Sequence, residues 1–62
     1  WVYASGSAWI SFDDQTQKVI EELWARDQAT WIHSQMFPGG PLFVDTTEMI
    51  ITFGSYSYTI AR

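Results

Sequence analysis

Asp13–Ala29, DDQTQKVIEELWARDQA, is the one stretch of the 62-residue chain with a helical period. Thr16, Val19, Ile20, Leu23 and Trp24 recur at the i, i+3, i+4, i+7, i+8 spacing that makes a single stripe on a 3.6-residue helix. Lys18, Glu21, Glu22 and Gln28 fall on other faces, and Arg26 flanks the stripe. Asp13 is the expected N-cap, with Ser11 followed by Asp14 as an alternative, because short oxygen-bearing side chains satisfy the orphan N–H groups of a first turn. Asp14/Lys18 and Glu22/Arg26 are i,i+4 pairs, each expected to add about 0.2–0.5 kcal/mol. Asp27 would continue the stripe, and a carboxylate there marks the end of burial. The helix is predicted to fade at Asp27 and Gln28.

Outward from the helix, every segment is short, aromatic or β-branched, and bounded by turn residues. Trp1–Ala4 and Ala8–Phe12 flank Ser5-Gly6-Ser7, a hairpin pattern. In the second strand Trp9 and Ser11 share one face, Ile10 and Phe12 the other. Thr30–Phe37 alternates Trp31, His33, Gln35 and Phe37 against Ile32, Ser34 and Met36, which predicts a strand. Pro38-Gly39-Gly40-Pro41 is a turn whose prolines bound strand ends. Leu42–Asp45 and Met49–Phe53 are strands around a polar break at Thr46-Thr47-Glu48. Gly54-Ser55 turns the chain into Tyr56–Arg62, where Tyr56, Tyr58, Ile60 and Arg62 share one face. The sum is an α+β domain in the order β-β-α-β-β-β-β. About six antiparallel strands form a twisted half-barrel sheet packed on one helix, with short connections throughout.

Composition narrows the function. Residues 1–62 make one domain near the lower size limit for a self-sufficient core. With no cysteine, neither disulfide nor thiolate metal site can staple it. The four Trp, four Phe and three Tyr are expected mainly as core and cross-strand packing. A net charge of −4 disfavours DNA, RNA or an anionic membrane, because phosphate neutralisation needs clustered Lys and Arg. No apolar run reaches the length of a membrane span. The lack of cysteine fits an intracellular setting, cytoplasm or nucleus, and the abrupt ends suggest a module of a larger protein.

Several residues together resemble the WWE domain, a family named for two tryptophans and a glutamate. Trp1 opens the first strand, Trp9 stands near the start of the second, and Glu21 lies on the helix. Tyr3 follows the first Trp by two positions, and Phe12-Asp13 introduces the helix. Phe43-Val44-Asp45 then Met49 resembles the family's aromatic-Val-Asp…Met segment, and Ile60-Ala61-Arg62 its Ile-x-Arg ending. The resemblance implies a half-barrel on one helix. It also implies a place in ADP-ribosylation or ubiquitin signalling, with ADP-ribose or poly(ADP-ribose) as candidate ligand. A ligand site would then use Tyr3, Phe43, Ile51, Tyr56, Tyr58 and Arg62, with Trp1, Trp9 and Glu21 as structural residues.

This chain departs from the family's binders in its polar set. Ile50 and Ile51 stand where Gln is expected, Ser55-Tyr56-Ser57-Tyr58 where basic residues are, and Gly6 or Ser7 where an Arg can be. Charge-assisted bonds to a diphosphate contribute roughly 1.5–3 kcal/mol each, and about 1.4 kcal/mol is tenfold in affinity. The expectation is therefore a non-catalytic WWE-like module that holds ADP-ribose-type ligands weakly or not at all. Two alternatives stand beside it: a genuine ADP-ribose site using Tyr3, Phe43 and the last strand, with hydroxyls of Tyr56 or Tyr58, Arg62 or His33 replacing the lost groups; and a module for protein partners or neighbouring domains. No catalytic set is legible. Asp13 and Asp14 are accounted for by capping, the serines lack a base, and Gly39-Gly40 lacks the Lys-Ser/Thr and helix of a phosphate loop. His33 reads as a strand histidine, and one histidine without cysteine makes no recognisable metal site. No cofactor is expected.

Overall fold

A computed structural model describes all of Trp1–Arg62. It contains β1 (Val2–Ser5), β2 (Ala8–Ser11), α1 (Asp14–Ala25), β3 (Ala29–Ile32), β4 (Leu42–Asp45), β5 (Ile50–Phe53) and β6 (Tyr56–Ala61). The strands form one antiparallel sheet in the order β2-β1-β6-β5-β4-β3. It curls around the helix without closing, so β2 and β3 are left as edges. The α+β half-sheet on one helix is the architecture the sequence predicts.

Both ends of α1 are set by side-chain and backbone chemistry. Asp13 caps the start: its carboxylate accepts the Thr16 N–H at 3.2 Å and the Thr16 hydroxyl at 2.6 Å. At the other end Gln28 N–H donates to Leu23 O and Asp27 N–H to Trp24 O. Asp27 adopts φ 55. These are the two bonds and the left-handed residue of a Schellman motif, with Asp where glycine is commonest. The helix thus ends at Ala25, two residues before the sequence pattern fades. Neither Asp14/Lys18 nor Glu22/Arg26 closes into an ion pair; the one salt bridge of the molecule joins Arg62 to Glu21.

The core consists of Tyr3, Phe12, Ile20, Leu23, Phe37, Leu42, Val44, Ile51 and Ile60. Strand register explains which residues enter it. Val44 pairs with Ile51, and Ile51 with Tyr58; Tyr3 pairs with Ile60 and Ile10. These positions face the helix. The alternate positions Trp31, Phe43, Thr52 and Ser57 form a row on the opposite, outer face, as the two-residue period of a strand requires. Gly6 and Gly54, both at φ 61, turn the β1–β2 and β5–β6 hairpins through two-residue loops.

One predicted element is shorter than its pattern. Thr30–Phe37 alternates throughout, yet β3 stops at Ile32. The Ser34 hydroxyl donates to Asp13 Oδ1 at 2.9 Å, 21 residues away in sequence, and accepts the Met36 N–H at 3.3 Å. Phe37 N–H then bonds back to Ser34 O at 3.1 Å. This latch pulls the chain off the sheet and swings Phe37 into the core, so Pro38 bounds no strand, while Pro41 immediately precedes β4. Met49, at φ 58, belongs to the turn rather than to β5.

Candidate functional site

Three places bring the chemically capable side chains together. The first is the mouth of the half-barrel on its inner face. Tyr3 lies 5.0 Å from Phe12, 5.2 Å from Phe37 and 5.7 Å from Tyr58, measured between ring centroids. Phe37 also meets Phe53 at 5.4 Å and Tyr58 at 6.2 Å. These tilted and edge-on pairs are the favoured aromatic geometries. Phe37 fills the space between Tyr3, Phe53 and Tyr58, so the mouth is plugged rather than hollow. No side-chain nitrogen or oxygen is both buried and unpartnered. The Tyr3 and Tyr58 hydroxyls, which have no partner within the protein, therefore reach solvent.

The second is a clasp between the two ends of the chain and the helix. Trp1 Nε1–H donates to Glu21 Oε1 at 2.8 Å, and Arg62 donates Nε–H to Oε1 at 3.0 Å and Nη2–H to Oε2 at 2.6 Å. The Arg62 guanidinium also lies 4.3 Å over the Trp24 ring, which packs edge-on against Trp1 at 6.2 Å. Planar bidentate pairing and stacking together are what distinguish Arg from Lys at such a position. Arg62 and then Trp1 hold the Glu21 carboxyl down to about 2 from its usual 4.5. Gln17 supports the same corner, donating to Trp1 O at 2.7 Å and Phe12 O at 3.1 Å, and accepting from the Trp1 amino group.

The third lies outside the sheet. Trp31 is 61 % exposed and meets Phe43 edge-on at 5.0 Å. Beside it a cleft of about 450 Å³ is bounded by Trp31, Gly39, Gly40, Pro41, Phe53 and Gly54. No charged side chain lines it. Asp45 lies on the same outer face two residues along β4 from Phe43, its carboxylate accepting the Thr47 hydroxyl at 2.6 Å and the N–H groups of Thr47 and Glu48. These bonds, the Thr47 hydroxyl above all, lower the Asp45 pKa.

The residues expected to share one ligand site are dispersed. Tyr3 and Tyr58 do come together. Phe43 does not join them: it projects from the outer face, because the buried residues of β4 are its neighbours Leu42 and Val44. Ile51 is completely buried and offers nothing to a ligand. Tyr56 stands 66 % exposed at the start of β6. Arg62 is committed to Glu21 and Trp24. His33 follows the end of β3 and is exposed, instead of alternating within a strand. Of the three structural residues, Trp1 and Glu21 are bonded to each other, while Trp9 is 57 % exposed opposite Ala4 on the outer face. Phe37, Trp24 and Trp31 carry roles that sequence reasoning did not assign. Trp24 and Trp31 were legible as large apolar residues, but only their non-local neighbours reveal the stack and the platform. No three His, Asp or Glu side chains gather as a metal-sized cluster, and no helix is long and apolar enough to cross a membrane. No family model, curated protein or solved structure matches this chain.

Proposed function

We propose that this chain is a non-catalytic WWE-like interaction module of an intracellular protein in ADP-ribosylation or ubiquitin signalling. On this reading it holds ADP-ribose-type ligands weakly or not at all and works through protein contacts. The observation that carries it is the separation of Tyr3 from Phe43 by the thickness of the sheet, with Phe37 packed where a second ring would have to stack against Tyr3. The chain's three cations give no compensation: Lys18 and Arg26 belong to the helix and its cap, and Arg62 is bound to Glu21. The resemblance supports the pathway and the geometry supports the mode of action; fold by itself assigns neither.

A second reading draws on the free hydroxyls of Tyr3 and Tyr58, which could meet ribose or phosphate oxygens at the mouth. Calorimetry with ADP-ribose and iso-ADP-ribose separates the two. The expected result is no heat at millimolar ligand; micromolar binding that weakens in Tyr3→Phe, which removes only the hydroxyl, would replace the first reading by the second. Deleting the domain is expected to disrupt assembly with partner domains without any effect of ADP-ribose.

A further inference from the structure

We propose that the β3 edge, with Trp31 beside it, is a docking site for an extended basic segment of a partner protein that adds to the sheet as a seventh strand. This rests on the interaction-module reading and names its surface and partner class. In an antiparallel strand, alternate residues turn their N–H and C=O groups away from the neighbour. At β3 those groups meet nothing: no hydrogen bond from outside the sheet reaches residues 29–32. Native edges are usually blunted by Lys, Pro or a bulge, and Ala29-Thr30-Trp31-Ile32 contains neither residue.

The other edge, β2, is equally open, but three features single out β3. The cleft formed with Gly39, Gly40 and Pro41 lies beside it. Trp31, steadied by Phe43, presents a largely exposed indole. Charge gathers at its Ala29 end: Ala29 pairs with Asp45, Asp27 lies two residues earlier, and Glu48 follows in the turn whose Thr46 hydroxyl donates to Gln28 O at 2.7 Å. One cation, Arg26, stands against these three carboxylates.

The partner's side-chain pattern follows from register. Residues paired opposite Trp31 and opposite Ala29 are two apart and project on the same outer face. A cation at the first stacks on the indole, and a cation at the second meets the acidic end. The segment is therefore extended, with Lys or Arg at positions i and i+2. Main-chain bonds to an open edge supply affinity, and the alternate side chains supply specificity.

The test is a titration of the ¹⁵N-labelled chain with a synthetic hexapeptide carrying two arginines separated by one valine. Controls are the same composition with adjacent arginines and a version with glutamates in place of arginines. Amide shifts should be confined to Ala29–Ile32, the Trp31 indole and the acidic end at Asp27, Asp45 and Glu48, and affinity should fall about tenfold in Trp31→Ala, the loss of a strong cation–π contact. Adjacent arginines should bind more weakly, since one then points to the wrong face, and the glutamate peptide should not bind. Shifts on the helix or β2, indifference to Trp31→Ala, or equal binding of the glutamate peptide would overturn the inference while leaving the module reading in place. Sedimentation of the chain alone is the companion measurement. A dimer dispersed by Trp31→Ala would assign the edge to a second copy instead. Micromolar ADP-ribose binding would count against the module reading itself.

Discussion

Ile51 and Thr52 are neighbours on β5, yet they belong to different environments. Ile51 is sealed between the sheet and the helix, whereas Thr52 shares a 3.3 Å contact with the Ser57 hydroxyl on the open side. The inner face is crowded with rings and aliphatic chains and has no room for a guest. The outer face is sparser, with mostly small or polar residues and Ile50 between Trp9 at one margin and the Trp31–Phe43 pair at the other. In so small a domain the helix can cover only one side of the sheet. That side carries stability, and the other is left open to solvent.

The sharpest way to break this contrast is to truncate on each side in turn. Ile51→Ala should cost about 3–4 kcal/mol, the range for a fully buried aliphatic residue that leaves a cavity. Thr52→Ala should stay within about 0.5 kcal/mol; denaturant titration of both variants compares them directly, and equal losses would mean that the faces are not distinct. Phe37→Ala is next, at about 2–3 kcal/mol, below a rigid core site because its loop can partly collapse into the space. Thermal melting should show this as a fall of roughly 10–20 °C for a domain of this size.

Asp13→Ala removes the helix cap and the Ser34 latch together, and is expected to cost about 1–2 kcal/mol. Asp13→Asn, which keeps an acceptor for the cap, should recover part of it. Acid should act along the same lines. Asp13 is lowered by the Thr16 hydroxyl first and Ser34 after it, and Glu21 is lowered to about 2 by Arg62 and Trp1. A carboxyl depressed by folding contributes stability above its unfolded pKa and loses it as pH falls toward the folded value. The melting temperature should therefore be level above about pH 4.5 and decline between there and about 2, with a shallower decline in Glu21→Gln. One further effect is of opposite sign. Asp27→Gly relieves a left-handed residue and removes a negative charge at the negative end of the helix dipole, and should stabilise by about 0.5–1 kcal/mol.

The helix and the faces of the strands were legible because each is a local pattern. Thr16, Ile20 and Leu23 announce a buried stripe, and Leu42-Phe43-Val44 announces in-out-in. That last triplet already opposes Phe43 to the buried residues around it; what it could not show was on which side Tyr3 lies, since this depends on the pairing of Tyr3 with Ile60, 57 positions away. The early end of β3 was hidden for the same reason. His33 to Phe37 keeps the strand alternation, and only the bond from Ser34 to Asp13 pulls it away. Glu21 was readable as a structural residue of the helix. Its actual donors, Trp1 and Arg62, were not, being 20 and 41 residues distant.

The meeting of Trp1 and Arg62 at Glu21 also fixes how the domain answers a pull. β1 and β6 are antiparallel neighbours, with Val2 opposite Ala61, so tension applied at the two ends of the chain loads the same end of that pair. The strands then part like a zipper, one rung at a time, instead of resisting in shear along their length. The Glu21 clasp is the first rung to be loaded, and its strength sets the force at which the sheet begins to open.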